Sequence, residues 1–249
     1  MELKIEKSVT VLTPTTGNDK LLKCIQSVHN QTYKNIHHLL VIDGPHHYQK
    51  TIDIFEQSRN LNQDEYVRFA TLPENTGSNG FYGHRIYAAF PHLINTDYIA
   101  FLDEDNWFDE NHIESLVNTI EEKQLDFAYS LRKVYVGDEY LADDCCEAIG
   151  RWPIAWSDGT QHLVDTSSYC FKREWFINVC QIWHYGWGGD RRFFTFVKHQ
   201  SNYDTTGLHT LNYNLPDMNK AYGGDIDIFS KYNEIMKQKH NGEYPWKKT

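Results

Sequence analysis

The chain has 249 residues and a mass of 29.3 kDa, with 40% hydrophobic and 23% charged residues, a composition that excludes the disordered, collagenous and coiled-coil classes. Twenty-four basic residues against 34 acidic ones leave a formal charge of -10 and a pI of about 5.7, so no broad positive field is present to hold a nucleic-acid backbone, and general DNA or RNA binding is excluded. A phosphate-bearing ligand would need local positive charge from an arginine, a helix N-terminus or a divalent cation.

In chain order, Met1 to Lys7 alternates charged and apolar residues, and the apolar run Val9 to Leu12 is far shorter than a signal-peptide core. Ser8 to Thr13 is rich in β-branched residues and stops at Pro14, which predicts a strand. The turn Thr15 to Asp19 leads to Leu21, Leu22, Ile25 and Val28 at helical spacing. His37 to Ile42 is a second strand closed by Asp43-Gly44-Pro45, followed by a polar segment to Arg59 that suits a helix. Tyr66 to Leu72 is a third strand. A glycine-rich loop, Asn75 to Gly83, precedes a helix through Ile86, Ala89, Phe90 and Leu93, in which Pro91 predicts a kink or an early end. Tyr98 to Leu102 is a fourth strand, ending at Asp103-Glu104-Asp105.

Strands alternating with helices predict an α/β fold with a mostly parallel sheet covered on both faces. After about Asp105 the regular alternation gives way to aromatic-rich sequence. There Phe127 to Val136 and Val164 to Phe171 read as strands, Asp190 to Lys198 and Asp225 to Lys239 as helices, and the rest as loop. With no internal repeat and no linker, the expectation is one domain over 1–249 in two lobes, 1–106 and 107–249. No run approaches the roughly 18 apolar residues of a membrane span. The expectation is therefore a cytoplasmic chain with no transmembrane anchor. The five cysteines lack C-x-x-C spacing and read as reduced thiols.

The acidic triplet Asp103-Glu104-Asp105 is the most informative feature. In a parallel sheet ligands bind at the carboxyl ends of strands, and carboxylates grouped there repel unless a cation neutralises them. Oxygen ligands suit Mg2+, Mn2+ or Ca2+; the alternative is a solvated acidic turn that caps a helix. Asp43 ends another apolar strand and belongs on the same rim, although Asp-Gly-Pro is also a strong turn in its own right. The loop Asn75-Thr76-Gly77-Ser78-Asn79-Gly80 matches neither dinucleotide nor ATP signatures, yet its amides could face a phosphate with Arg85 nearby.

Five ordered segments carry a resemblance. Ser8 to Pro14, S-V-H-N-Q-T-Y at Ser27 to Tyr33, V-I-D-G at Val41 to Gly44, E-N-T-G at Glu74 to Gly77 and Y-I-A-F-L-D-E-D-N at Tyr98 to Asn106 look like the signature of family 2 glycosyltransferases with the GT-A fold. The resemblance covers residues 8 to about 115, and continues more weakly through Phe171-Lys172-Arg173 and Gly188-Gly189-Asp190. It implies a metal-dependent transferase that takes a sugar from a nucleotide-diphosphate sugar, with UDP as the favoured nucleotide, and passes it to a hydroxyl of a glycan, lipid-linked or other acceptor. By the same resemblance Thr13, Pro14 and Thr15 line the base and ribose, and Asp43 accepts a hydrogen bond from the base. Asn75, Arg85 and Glu104 complete the donor side with Asp103. Asp103 and Asp105 form the D-x-D pair that holds Mn2+ or Mg2+, and His209 is a further candidate metal ligand.

Asp190 falls where inverting members place the base that takes the acceptor's proton, a step that general catalysis accelerates by roughly two to four powers of ten. Its alternative role is a first-turn helix carboxylate. The family's E-D reads Gly189-Asp190 here, its A-R-N is replaced by Tyr82-Gly83-His84-Arg85, and its V-D-D-G-S by Val41-Ile42-Asp43-Gly44-Pro45. Trp187 and Gly189 are the acceptor-side candidates, since a sugar's C–H face packs on an aromatic ring. Two other classes are alternatives. A nucleotidyltransferase would carry an early basic glycine-rich loop, but Thr13 to Lys20 has one glycine and one lysine; a non-catalytic glycan-binding protein would need aromatics without D-x-D. The last helix, with Lys231, Lys237 and Lys239, reads as a packing element, with peripheral membrane contact as the alternative.

Overall fold

A computed structural model describes residues 7–59, 66–215 and 227–247. Among the described residues nine strands form one sheet: β1 (Val9–Thr15), β2 (Ile36–Ile42), β3 (Val67–Thr71), β4 (Tyr98–Phe101), β5 (Trp107–Phe108), β6 (Phe127–Val136), β7 (Glu139–Asp143), β8 (Tyr169–Lys172) and β9 (Tyr203–Asn214). The order is β3-β2-β1-β4-β8-β6-β9-β5, with β7 paired to β6. The first four strands run parallel, β8 lies antiparallel between β4 and β6, and β6 and β9 are parallel. Because β4 pairs with β8, both halves of the chain share this sheet. The mostly parallel α/β architecture expected from the alternating pattern is therefore present.

Burial explains the sequence of each strand. All seven residues of β1 are buried, since β2 and β4 flank it and helices cover both faces. On one face α1 (Leu21–His29) contributes Leu21, Cys24, Ile25 and Val28, and α4 (His112–Lys123) contributes Ile113, Leu116, Val117 and Ile120. On the other, α3 (His84–Ala89) and α6 (Gly189–Val197) pack Tyr87, Phe193 and Phe194 onto Phe101, Phe171 and Trp183. Fully burying each such ring contributes about 1.5–3 kcal/mol, which accounts for the aromatic richness of the second half.

The helix α2 (Tyr48–Arg59) occupies the polar segment before Arg59. The helix before the fourth strand stops at Ala89, and Pro91 sits in a 3-10 turn over Phe90–Leu93, as its missing N–H requires. The strands β5, β7 and β9 and the helix α4 all stand where loop was expected. α4 carries apolar residues at positions 113, 116, 117 and 120, a helical stripe, and β9 is a 12-residue strand broken by register shifts opposite Tyr129, Leu131 and Arg132. The strand expected from Val164 begins only at Tyr169, because Asp165 accepts from Ser167 N at 3.0 Å and starts a 3-10 turn over Thr166–Ser168. A four-residue helix, α5 (Arg173–Phe176), follows β8. The last helix, α7, spans Ile228–Lys239 and buries Phe229 and Met236; residues 225 and 226 of the expected span lie outside the described residues. Among the described residues no helix is long and apolar enough to cross a membrane.

Candidate active site

The carboxyl ends of β1, β2 and β4 open on one cleft of about 930 Å³. Parallel pairing puts Pro14, Thr15, Asp43 and the acidic triplet on that rim, and the start of α6 closes the far side with Trp187 and Asp190. Of the residues singled out in the sequence, Pro14, Thr15, Asp43, Asn75, Asp103, Glu104, Asp105, Trp187 and Asp190 line it. Thr13, Arg85, Gly189 and His209 do not.

Two of the lining carboxylates hold loops. Asp43, 3% exposed, accepts at Oδ1 from Thr76 N (2.7 Å) and Thr76 Oγ1 (2.8 Å), and at Oδ2 from Gly77 N (2.8 Å). It thereby pins the glycine loop to the end of β2. Glu104 accepts from Thr15 Oγ1 (2.6 Å), Thr16 Oγ1 (2.8 Å), Thr16 N (3.1 Å) and Asn18 N (2.8 Å), fastening the turn after β1 to the end of β4. Gly83 is required where it stands, because a Cβ there would meet Pro14 Cγ at 2.7 Å.

Asp103 and Asp105 behave differently. Asp103 accepts from Tyr87 Oη at 2.8 Å and Ser167 Oγ at 3.2 Å, while desolvation and the neighbouring Asp105 and Asp165 push its pKa up to about 7. Desolvation, then Glu104, raises that of Asp105 to about 6. Carboxylates that ionise this reluctantly would be relieved by a cation. Among the described residues no group of three or more His, Cys, Asp or Glu could enclose a metal by itself. That donor set still fits Mg2+ or Mn2+, which are held by one or two carboxylates together with substrate phosphates.

Asp190 lies in the first turn of α6, where its Oδ1 accepts from Arg191 N at 2.7 Å. Desolvation raises its pKa, against the pull of Arg191. Trp187 is 75% exposed, with the Arg191 guanidinium 5.5 Å from its ring.

The remaining candidates sit elsewhere. Thr13 Oγ1 pairs with buried His38 Nε2 at 3.0 Å. Arg85 lies over the Phe81 ring at 3.5 Å and donates to Thr76 O at 3.1 Å, so it braces the glycine loop from behind. Gly189 is buried against His84. His209 is on β9, within 3.3 Å of Asp144 O and 3.5 Å of Cys145 Sγ.

Several cleft residues lie outside the motifs that stand out in the sequence. Arg132 on β6 is buried and reaches three carboxylates: Asp144 at 2.8 Å, Glu147 at 2.6 Å and Asp165 at 2.7 Å. Glu147 and Asp165 line the cleft with it, and Arg191 stands 3.6 Å from Glu147. The capping pattern Asp165-Thr166-Ser167 was the one local clue, as it marks a turn and not a strand.

Known proteins similar to this chain share its fold and point to one family. The family model for glycosyl transferase family 2 matches residues 10–170. The glycosyltransferase GlyA of Streptococcus pneumoniae is 28% identical over 128 residues, 50% of this chain and 16% of that protein. The poly(ribitol-phosphate) beta-N-acetylglucosaminyltransferase TarP of Staphylococcus aureus is 30% identical over 128 residues, 48% of this chain and 35% of that protein. This chain thus spans well under half the length of either relative. Among solved structures, S. aureus TarS 1–349 in complex with UDP-GlcNAc superposes with a TM-score of 0.62 at 12% identity, covering 84% of this chain and 59% of that one. The mannosyltransferase PcManGT from Pyrobaculum calidifontis, in complex with GDP-Man and Mn2+, gives 0.61 at 12% identity, covering 86% and 59%. At that identity both establish the fold.

Proposed function

The chain belongs to glycosyl transferase family 2, and from that premise we propose that it moves a sugar from a nucleoside-diphosphate sugar to an acceptor hydroxyl, inverting the anomeric centre, with Asp190 as the general base. The observation that carries this reading is a single cleft with a cation-seeking carboxylate pair on one wall and a desolvated carboxylate on the other. UDP-GlcNAc is the first donor to test, because it is bound by TarS and matches the sugar named for TarP. The acceptor is a hydroxyl of a glycan or another polyhydroxyl chain, packed against Trp187.

Pro14 and Thr15 would flank the nucleoside, on a turn that Glu104 holds in place. Asp105, with Asp103, would hold Mn2+ or Mg2+, which supplies positive charge to a diphosphate leaving group in a protein of formal charge -10. Asp190 takes the acceptor's O–H proton as the new C–O bond forms on the face opposite the diphosphate. The anomeric C–O bond breaks at the same time, and its electron pair leaves on the diphosphate. The raised proton affinity of Asp190 suits this role, since a base works best with a pKa near the working pH. The two halves of the chain act here as one domain, because each supplies one wall of the cleft.

Asp190→Asn tests the base. The expected result is loss of most transfer with UDP binding retained; normal transfer by this variant would remove Asp190 from the role. A thermal-shift panel of UDP, GDP, CDP and dTDP in Mn2+ or EDTA tests the donor side. One diphosphate at about 100 times its Kd should stabilise the fold by about 2.7 kcal/mol with metal present and much less in EDTA. No metal-dependent shift with any of the four counts against the transferase reading.

A further inference from the structure

We propose that His84 is a positioning residue for Asp190 and that it shares one steric seat with Gly189. This rests on the reading of Asp190 as the base. His84 is the first residue of α3, directly after the glycine loop, and its ring reaches across to the chain segment that enters α6. Nδ1 lies 2.9 Å from Tyr185 O and 3.0 Å from Gly186 O. Carbonyls only accept, so Nδ1 carries the proton and one N–H serves both oxygens. The ring is edge-on to buried Trp183, with centroids 5.7 Å apart, which limits its swing.

Gly189 completes the seat. A Cβ at 189 would stand 2.7 Å from His84 Nδ1 and 2.9 Å from Cε1, closer than real side chains approach. The residue that abuts the histidine is therefore the one whose peptide bond leads into Asp190. Gly189 N also donates to Gly186 O at 3.1 Å, the same carbonyl that His84 holds. On its other side His84 N donates to Phe81 O (3.0 Å), Phe81 N to Gly77 O (3.1 Å), and Gly77 N to Asp43 Oδ2 (2.8 Å). A continuous chain of hydrogen bonds thus runs from the end of β2 to the start of α6.

Two departures from the family pattern meet here. His84 stands at the altered A-R-N segment and Gly189 in place of the first acid of E-D, 105 positions apart in sequence and in contact in the fold. A glutamate side chain at 189 would have to begin inside the space of the imidazole. The glycine at 189 and the histidine at 84 are therefore one structural feature, and the segment that leads into Asp190 rests on the ring.

The test uses the full chain and four variants, His84→Ala, His84→Asn, Gly189→Ala and the double His84→Ala/Gly189→Ala, with Asp190→Asn in parallel. Two quantities are read: hydrogen exchange of amides 185–191, and release of UDP from UDP-GlcNAc with Mn2+. His84→Ala should speed exchange in that segment about tenfold or more, as expected when a local contact is lost. It should lower kcat by about 10–100-fold, the scale of a displaced catalytic group, while the donor KM stays within about twofold. An asparagine amide can donate from near the position of Nδ1, so His84→Asn should recover most of both losses. Gly189→Ala should reproduce His84→Ala, and the double variant should be no worse than either, because both break one contact.

Unchanged exchange in His84→Ala, or an asparagine variant as impaired as alanine, overturns the proposal. If His84→Ala fails to fold, the asparagine and Gly189→Ala variants decide it. The exchange measurement stands whether or not UDP-GlcNAc is turned over. Asp190→Asn separates the two readings: full activity there removes the base and leaves the loop contact to be judged by exchange. An inactive Asp190→Asn beside a fully active His84→Ala removes only the positioning role.

Discussion

Tyr87 and Asp103 are joined at the floor of the cleft, the phenol donating to Oδ1 at 2.8 Å. The tyrosine is completely buried and stacks on Phe101 at 4.0 Å, so α3 and β4 together orient the first carboxylate of the acidic triplet. A hydrogen bond to a charged group contributes about 1.5–3 kcal/mol, and it favours the ionised form that a cation needs. Tyr87→Phe should keep the fold, since the ring and its packing remain. It should raise the Mn2+ concentration needed for UDP binding by roughly tenfold, a change of about 1.4 kcal/mol. Calorimetric titration of Mn2+ at saturating UDP measures this; an unchanged midpoint would separate the tyrosine from the metal site.

The pH dependence of the metal effect follows from the two raised carboxylates. Asp103 and Asp105 hold protons up to about pH 7 and about pH 6 in the folded chain, well above the ordinary carboxylate value. The folded state therefore binds more protons than the unfolded one between these limits, and the contribution of both groups to stability falls as pH rises from about 4 to 7. A divalent cation competes with those protons, so its stabilising increment should be small at pH 5 and large at pH 8. Buried His38 and His112 are held neutral down to about 3, and their contribution is lost in the opposite direction, as pH falls below the ordinary histidine value. Melting in Mn2+ minus melting in EDTA at each pH cancels that term. A metal increment equal at pH 5 and pH 8 would exclude this carboxylate pair as the ligand.

Glu104 acts on the donor through the turn it holds. Glu104→Ala removes the acceptor for Thr15, Thr16 and Asn18 at once. The expected result is a weaker grip on UDP by roughly tenfold, from a turn that must be ordered on binding. Glu104→Gln keeps acceptor oxygens and should lose less. The measurement is the UDP dissociation constant in excess Mn2+, and equal affinities in all three proteins would show that the turn does not contribute to the site.

Arg132 balances a buried acidic cluster. Removing one partner of a buried ion pair typically costs about 3–5 kcal/mol, because the remaining charges lose their compensation. Arg132→Met leaves Asp144, Glu147 and Asp165 facing one another and should lower urea stability by an amount of that order. Adding Asp144→Asn to Arg132→Met should recover part of the loss. A single variant as stable as the parent would mean the cluster is far better solvated than its burial implies.

Much of the first half was legible because its signals are local. The apolar runs at Val9 to Leu12, Leu39 to Ile42 and Tyr98 to Leu102 specify buried parallel strands, and each ends where turn chemistry or an acid stops it. The helix at His112 to Lys123 carries the same kind of local signal, a helical period in Ile113, Leu116, Val117 and Ile120 within a region expected to be loop. β9 was harder, since Gly207 at a positive φ and two register shifts interrupt its alternation.

Residue order alone thus carried the parallel nucleotide-side sheet, the acidic triplet at its rim and Asp190 at a helix start, because backbone propensity and strand-end chemistry act within a few residues. Packing decided which carboxylates are engaged by neighbouring loops. Asp43 and Glu104 spend their oxygens on neighbouring loops, and Asp103 and Asp105 are left crowded and desolvated. Arg132 against Asp165 arises because β8 lies antiparallel between β4 and β6 and brings distant segments to the rim of β4, while Tyr87 against Asp103 and His84 against Gly186 arise because α3 packs between β4 and the segment that enters α6. A hydrogen bond depends on the distance between two groups in space, and that distance follows from strand order, which no single stretch of sequence contains.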